Sequence, residues 1–537
     1  MSGLNGKQLI AGKWQSAGVD AFHAICPVSG RELATKFFEA TEFEIDLAAT
    51  SASKAFPALA NTTIEQRAAL LDRIAAGLDA RGEDLVERCM LETAYSEQRV
   101  RGELLRTISQ TKLFGEMLRE GSWVEAKIDH AEPQRVPFPK PDIRSMLQPI
   151  GPIVVIGASN FPLAISVAGT DTCTALAAGC PVIVKAHPAH PGTCEMAAEV
   201  IRVSADLTGI HPGAFSFLQG PSHSVGGRLV EHPEVKAVAF TGSLEGGRAL
   251  MDLASRRPAP IPVYAEMGSV NPVVVLPDAA ASRTQQIAHG FVSSLTLAMG
   301  QFCTNPGLLL VPDGNAGDQL IELIKEAIKA APAGTMLHAG IQRAFEVGLD
   351  LRQQTDSAVL VHGTHGDSDI RTVTPAISII EAEFAVSDGQ INQELFGPFA
   401  TIVRWKNQTD LAKVIDQLTG QLTATVHADV DEMLRYPDLI WQLRNKAGRM
   451  IVNGFPTGVE VCHAMHHGGP YPAASDPHFT SIGPTSIKRF VRPVSYQDYP
   501  KNLLPLELND FNPLGIMRQV DGQYTRQNFE NSNHLDK

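Results

Sequence analysis

Cys303 sits in MGQFCTNPG (299–307), among small and polar turn formers that follow a helix-like stretch. A thiol in a polar turn can become a thiolate, the reactive species. Cys173 and Cys180, in a small-residue helix and turn, instead read as inert packing. Glu266, in YAEMGS, stands where an apolar strand meets a glycine. A carboxylate half-removed from water there is expected to have a raised pKa and to act as a general base; a hydrogen-bonded loop carboxylate is the alternative. Lys185 ends PVIVK and could reach a ribose hydroxyl or a phosphate, or be a solvated edge lysine. In FTGSLEGGRAL, Gly242 and Gly247 frame a strand-to-helix turn whose N–H groups can hold a pyrophosphate. The dinucleotide fingerprint G-x-G-x-x-G and a P-loop lysine are both absent, so that turn alone is a weak signal.

These residues need strands to carry them. PIGPIVVIGASN, PVIVKAH, AFSFLQG, VKAVAFTGS and IPVYAEMG read as Val- and Ile-rich strands separated by helices, PLAISVAGTDTCTALAAGC being the first. That alternation predicts an α/β fold with a parallel sheet covered on both faces, whose ligands gather at the strands' carboxyl ends. ASN, KAH, FTGS and EMGS fall there. A second α/β alternation runs through PVVVLPDA, a helix over 283–299, GLLLVPDG, a helix over 318–331, TVTPAISIIEA, ELFGPFATIVRW and RMIVNGFP. Residues 43–120 read as helical, 129–142 as an excursion rich in proline and charge, and the tail after about 500 as irregular surface chain.

The set ASN (158–160), VIVK ending at 185, FTGSLEGG, AEMGS, QFCTNPG and ELFGP (394–398) resembles the aldehyde dehydrogenase superfamily, in that family's order and over nearly the whole chain. The resemblance implies a Rossmann-type cofactor domain (1–128 and 149–267), a catalytic domain (268–480), an oligomerisation segment (129–148 and 481–500) and a C-terminal extension (501–537). It implies Cys303 as nucleophile on an aldehyde, with Asn160 and the Cys303 N–H holding the oxyanion. Glu266 would then activate water on the resulting thioester. Glu394 would bind the nicotinamide ribose, and Ser243, Gly242 and Gly247 the pyrophosphate. NAD-preferring relatives carry an acidic residue three positions after the strand-ending lysine; here it is Pro188. NADP is therefore expected, with Lys185 and His187 beside its 2′-phosphate and NAD still possible. His463, in VCHAMHHGGPYPAASD, resembles a histidine that one NADP-dependent branch places near its nucleophile. RFVRPVSYQDYP and FNPLGIMRQVDGQYTR resemble a branch that oxidises 2,5-dioxopentanoate to 2-oxoglutarate. EMGS in place of ELGG is a departure from the superfamily pattern, as is the lack of tryptophan before the asparagine.

Composition narrows the field. The 537 residues suffice for two or three domains, and the net charge of −13 argues against nucleic acid and anionic membranes as partners. Seven cysteines at wide spacings, with no Cys-x-x-Cys, predict neither a disulfide framework nor a structural zinc site, and no metal is expected. With no apolar run of bilayer length and no leader-like start, a cytoplasmic location is expected. The expected partners are a small aldehyde and further copies of the chain, as a homodimer or homotetramer. A broad medium- or long-chain aldehyde dehydrogenase is the neighbouring alternative. From another class, a Cys303–His463 thiol hydrolase would leave Glu394 and Lys185 without a role. Glu266 speaks against a CoA-acylating enzyme, and the presence of Cys303 and Asn160 against a catalytically silent protein.

Overall fold

A computed structural model describes residues 3–354, 359–364 and 371–529. Two seven-stranded sheets organise it. In the first, Val263–Glu266, Ala237–Thr241, Ile153–Ile156, Val182–Lys185 and Phe215–Leu218 lie side by side in parallel, and Gln8–Ile10 and Lys13–Gln15 extend one edge antiparallel. The parallel strands are apolar and mostly buried because helices cover both faces. The chain order reverses beside Ile153–Ile156, which makes the carboxyl end of that strand a topological switch point. Ile156 is in register with both Phe240 and Lys185, and Thr241 with Glu266, so the segments that carry Asn160, Lys185, Gly242 and Glu266 leave one edge together.

The second sheet runs Val359–His362, Ala376–Glu381, Phe399–Trp405, Leu308–Pro312, Pro272–Val275, Gln421–His427 and Ala447–Val452. All but the first of these strands are parallel to their neighbours. Residues 267–271 pass from the carboxyl end of Val263–Glu266 to the amino end of Pro272–Val275, which brings the two sheets end to end.

Three expectations change. PLAISVAG is not helix: the helix begins only at Thr170 and ends at Ala178. The Glu103 carboxylate accepts the N–H groups of Leu163 (2.8 Å) and Ala164 (3.0 Å), which pins residues 161–166 as a loop over the cleft. The helix expected over 283–299 stops at Thr296, because Ala298, Met299 and Gly300 take left-handed φ values of 47°, 55° and 62°. Such a run in two non-glycine residues is costly and must be held by its surroundings. The tail is not irregular surface chain either. Arg518–Val520 and Gln523–Thr525 complete a five-stranded sheet with Lys127–Asp129, Ile143–Pro149 and Val491–Gln497. Buried Arg144 in that sheet pairs with Asp510 at 2.7 Å and donates to the Leu508 carbonyl at 2.7 Å, which fastens the tail to the strand Ile143–Pro149.

Candidate active site

Cys303 lies in the turn between the left-handed residues and the strand Leu308–Pro312. Asn271 holds that turn: its Nδ2 donates to the carbonyls of Cys303 and Asn305 at 2.8 Å each. Asn305 in turn donates to the Gly397 carbonyl at 3.1 Å. Gly300 packs against the same Gly397–Pro398 backbone so closely that a Cβ could not fit, so the ELFGP loop and the cysteine turn brace each other. Asn271 is fully buried with φ 48°, a conformation asparagine tolerates better than most residues.

Glu266 is buried at the end of its strand, where a returning loop covers it. Met267 N–H donates to the Ala473 carbonyl at 2.9 Å, and Ser475 N–H to the Ala265 carbonyl at 2.8 Å. This loop delivers His467. His467 Nε2 lies 3.1 Å from Glu266 Oε1 and 3.6 Å from Cys303 Sγ. Ser481 Oγ donates to Glu266 Oε2. Among the described residues, His467 Nδ1 is buried without a partner. A proton on Nε2, given to Glu266, leaves Nδ1 as the bare nitrogen and avoids an orphaned donor.

His463, expected beside the nucleophile, is exposed instead; the imidazole at the sulfur belongs to His467. The reason is backbone passage. A Cβ at Gly469 would collide with the Gln421 carbonyl, so the chain dives between the sheets at the His467–Gly468–Gly469 stretch and not before it. The arrangement also differs from a hydrolase dyad. There the two ring nitrogens serve the nucleophile and an orienting acid separately; here both partners meet one nitrogen.

The expected rise of the Glu266 pKa is also reversed. Burial pushes it up, but the His467 imidazole, Ser481 and Cys303 outweigh burial and hold the carboxyl well below its usual range. The Cys303 thiol is pushed well above its ordinary value, by burial and then by the Glu266 carboxylate. At neutral pH the resting pair is therefore carboxylate and thiol. Ligating atoms of Glu266, Cys303 and His467 lie within 4.8 Å of one another, close enough to share a metal ion. Their mutual hydrogen bonds make them equally a proton-transfer cluster.

Asn160 is buried, and its Nδ2 donates to the Gln301 carbonyl at 3.0 Å, which leaves its second N–H for a ligand. Arg99 grips the Asn160 carbonyl at 2.8 Å. Cys303 N–H makes no backbone hydrogen bond among the described residues. A cavity of about 120 Å³ opens on Cys303 and His467, walled by Phe161, Phe302, Thr457 and Arg106.

At the first sheet's edge, Ser243 caps the helix Leu244–Ser255 by accepting from Gly246 N–H at 3.1 Å. Gly247 seats that helix against Met267, where a Cβ would clash, and Gly242 N–H donates to the Glu266 carbonyl at 3.0 Å. Burial brings the Lys185 pKa down to about 8, and its ammonium has no hydrogen bond or ion pair among the described residues. His187 stacks on His190 with ring centroids 5.3 Å apart and leans on His338 at 5.8 Å; burial and these neighbours hold it well below its usual pKa. Glu394 lies over Gly268, pushed up to about 8 chiefly by burial and further by Glu266. An unpaired ammonium and a helix N-terminus at one sheet edge fit an anionic dinucleotide.

A family model described as "Aldehyde dehydrogenase family" matches residues 14–470. The chain is 45% identical over 522 residues to alpha-ketoglutaric semialdehyde dehydrogenase 2 of Azospirillum brasilense, covering 97% of this chain and 99% of that protein. It is 41% identical over 527 residues to the alpha-ketoglutaric semialdehyde dehydrogenase of Acinetobacter baylyi, covering 98% and 100%. Among solved structures, betaine aldehyde dehydrogenase of Staphylococcus aureus shares the fold with a TM-score of 0.79 at 19% identity, covering 94% of this chain and 98% of that one. A 1-pyrroline-5-carboxylate dehydrogenase does so with a TM-score of 0.78 at 23% identity, covering 91% and 92%.

Proposed function

The chain belongs to the aldehyde dehydrogenase family, and from that premise we propose that it oxidises 2,5-dioxopentanoate (α-ketoglutaric semialdehyde) to 2-oxoglutarate through Cys303. The near full-length similarity to two enzymes of that name supports the substrate. The observation that carries the route is that Cys303 and His467 line one cavity, with the buried Glu266 carboxylate 3.1 Å from His467 Nε2.

Glu266 takes the thiol proton, and the thiolate adds to the aldehyde carbon to form a hemithioacetal. The free Asn160 N–H and the Cys303 N–H hold the oxyanion, a role worth about 3–4 kcal/mol per donor in comparable sites. NAD(P), which the family uses, supplies the hydride acceptor when bound. Cys303 is then a thioester. Glu266, having passed its proton to solvent, takes one from the attacking water; the carboxylic acid leaves and the sulfur is reprotonated. His467 favours the anionic form of Glu266 and so returns it to the base form between these transfers.

NADP is the coenzyme we favour, supported by unpaired Lys185 with His187 beside it and by Pro188 where a repelling carboxylate would stand. NAD is the second reading, favoured by one observation: the Glu39 carboxylate lies within the field of Lys185, fixed by Ser222 N–H at 3.2 Å. No described helix is long and apolar enough to cross a membrane; a cytoplasmic homo-oligomer joined through the five-stranded sheet completes the reading.

The deciding measurement is kcat/KM for 2,5-dioxopentanoate, succinic semialdehyde and hexanal, each with NADP and with NAD. 2,5-Dioxopentanoate with NADP is expected to lead by at least about tenfold, the scale of one modest binding contact. A lead for hexanal would overturn the substrate, and a lead for NAD the coenzyme.

His467 has its own signature. In His467→Ala, burial becomes the dominant influence on Glu266, so its pKa rises and the base form is lost at higher pH. The acid limb of the kcat/KM profile is expected to move upward, with rates at pH 6 falling more than at pH 8. His467→Gln, which keeps a donor, should restore most of the acid limb. Superimposable profiles would remove His467 from the proton chemistry.

A further inference from the structure

An acid substrate needs a cation where its carboxylate comes to rest. One arginine lines the cavity beside Cys303, and two more hold residues of its wall. Arg99 stacks on Tyr95, Phe302 and Phe161 and spends an N–H on the Asn160 carbonyl. Arg449 donates to the Gly458 and Pro456 carbonyls at 2.8 Å each and so shapes the loop that forms the opposite wall. Both guanidiniums are committed to backbone.

Arg106 is different. It lines the cavity together with Cys303 and His467. Nε is buried without a partner in all three, but among the described residues the Arg106 guanidinium alone of the three makes no hydrogen bond or ion pair. Glu103, one turn earlier on the same helix, is the carboxylate with the largest influence on Arg106; its Oε1 is taken by the N–H groups of Leu163 and Ala164, and its Oε2 is buried without a hydrogen bond and forms no ion pair with Arg106 among the described residues. Phe161 supports the guanidinium from the side at 5.4 Å from the ring centroid. A guanidinium stays charged in proteins, so holding one largely out of water with empty donors is unfavourable until an anion arrives. Its planar fork matches a carboxylate in two parallel hydrogen bonds, which fixes direction as well as charge.

We propose that Arg106 is the subsite for the substrate's carboxylate, so that the cavity selects short aldehydes bearing an acid group at the far end over uncharged aldehydes. This rests on the reading of the chain as an aldehyde dehydrogenase with Cys303 as nucleophile. Arg106 holds the anion while the aldehyde carbon faces the sulfur, and binding of the acid relieves the buried unpaired charge. Uncharged aldehydes leave it unrelieved, and that difference is the source of discrimination.

The test compares unmodified enzyme with Arg106→Met, which keeps the apolar stem, and Arg106→Lys, which keeps the charge without the fork. For each, kcat/KM is measured with 2,5-dioxopentanoate, succinic semialdehyde and hexanal. In Arg106→Met the ratio of acid to hexanal kcat/KM is expected to fall about 100-fold, mostly through KM of the acids, with Arg106→Lys in between. The rate of Cys303 alkylation by iodoacetamide reports the nucleophile separately. A parallel loss for all three aldehydes, or a slowed alkylation with the ratio preserved, would show that Arg106 acts on the sulfur and not on the substrate. A preserved ratio with normal alkylation would overturn the proposal as well. The substrate reading is judged independently, by which aldehyde the unmodified enzyme prefers.

Discussion

With Cys303 replaced by serine, kcat/KM for any aldehyde is expected to fall by more than about 10⁴-fold, the scale seen when a covalent nucleophile is removed and only binding and oxyanion contacts remain. The size of the loss follows from the surroundings. Burial and Glu266 already hold the Cys303 thiol above its ordinary pKa, so even a thiol ionises here against its surroundings. A serine hydroxyl, several units less acidic than a thiol, lies beyond its reach. The serine oxygen is also smaller than sulfur and sits closer to Cβ, so the 3.6 Å contact with His467 Nε2 would lengthen. The turn itself should survive, because Asn271 and Asn305 hold it through carbonyls that the substitution leaves in place. Coenzyme affinity, measured by quenching of tryptophan fluorescence, should therefore stay within about threefold, less than the tenfold that 1.4 kcal/mol would represent. Steady-state oxidation at the unmodified rate would exclude the thioester route outright. A loss of coenzyme binding in step with activity would instead point to a collapsed turn.

Much of this site is legible from strand ends alone. Lys185, Gly242 and Glu266 each follow an apolar run, and a parallel sheet brings such positions to one edge whatever its helices do. The rest is carried by chain that obeys no period. His467 stands in a loop with His463, His466 and His478, and nothing in hydropathy separates them. The usable signal was the Gly468–Gly469 pair, since two successive glycines mark a backbone passage too tight for Cβ atoms. Asn271 reads as an ordinary residue before a strand, and its importance lies in a left-handed φ that sequence does not announce. Arg106 was legible in hindsight: Arg99, Glu103, Arg106 and Gln110 recur at helical spacing, and Glu103 and Gln110 are buried. A polar stripe on a buried helix face is expensive unless each member has a task. The direction of the Glu266 shift was not legible, because burial and donated hydrogen bonds oppose each other and only coordinates reveal the donors. The tail reads as irregular because its strands, Arg518–Val520 and Gln523–Thr525, are too short to show alternation.

Glu266→Gln is expected to separate the two halves of the reaction. The amide cannot accept a proton from water, so thioester hydrolysis should slow by about 10³-fold, within the 10²–10⁴ range for loss of a general base. Acylation should fare better, for an electrostatic reason. The Glu266 carboxylate is one of the two largest influences keeping the Cys303 proton on; removing its charge brings the thiol pKa down and raises the thiolate fraction at a given pH. Bulk base can then replace Glu266 as the proton acceptor in forming a thiolate that persists, whereas water attacking a thioester needs its base at the moment of attack. His467 Nε2 can still donate to the amide oxygen, so the cluster keeps its shape. Rapid mixing with substrate and coenzyme should give a burst of reduced coenzyme approaching one equivalent per Cys303, followed by a nearly flat steady state, and mass spectrometry should find the acyl group on that cysteine. Adding hydroxylamine, which attacks thioesters without a base, should restart turnover. An absent burst would show that bulk base cannot replace Glu266 in thiol activation, and a burst with an undiminished steady state would mean that water finds its base elsewhere, with Glu394, over Gly268, the next carboxyl to examine.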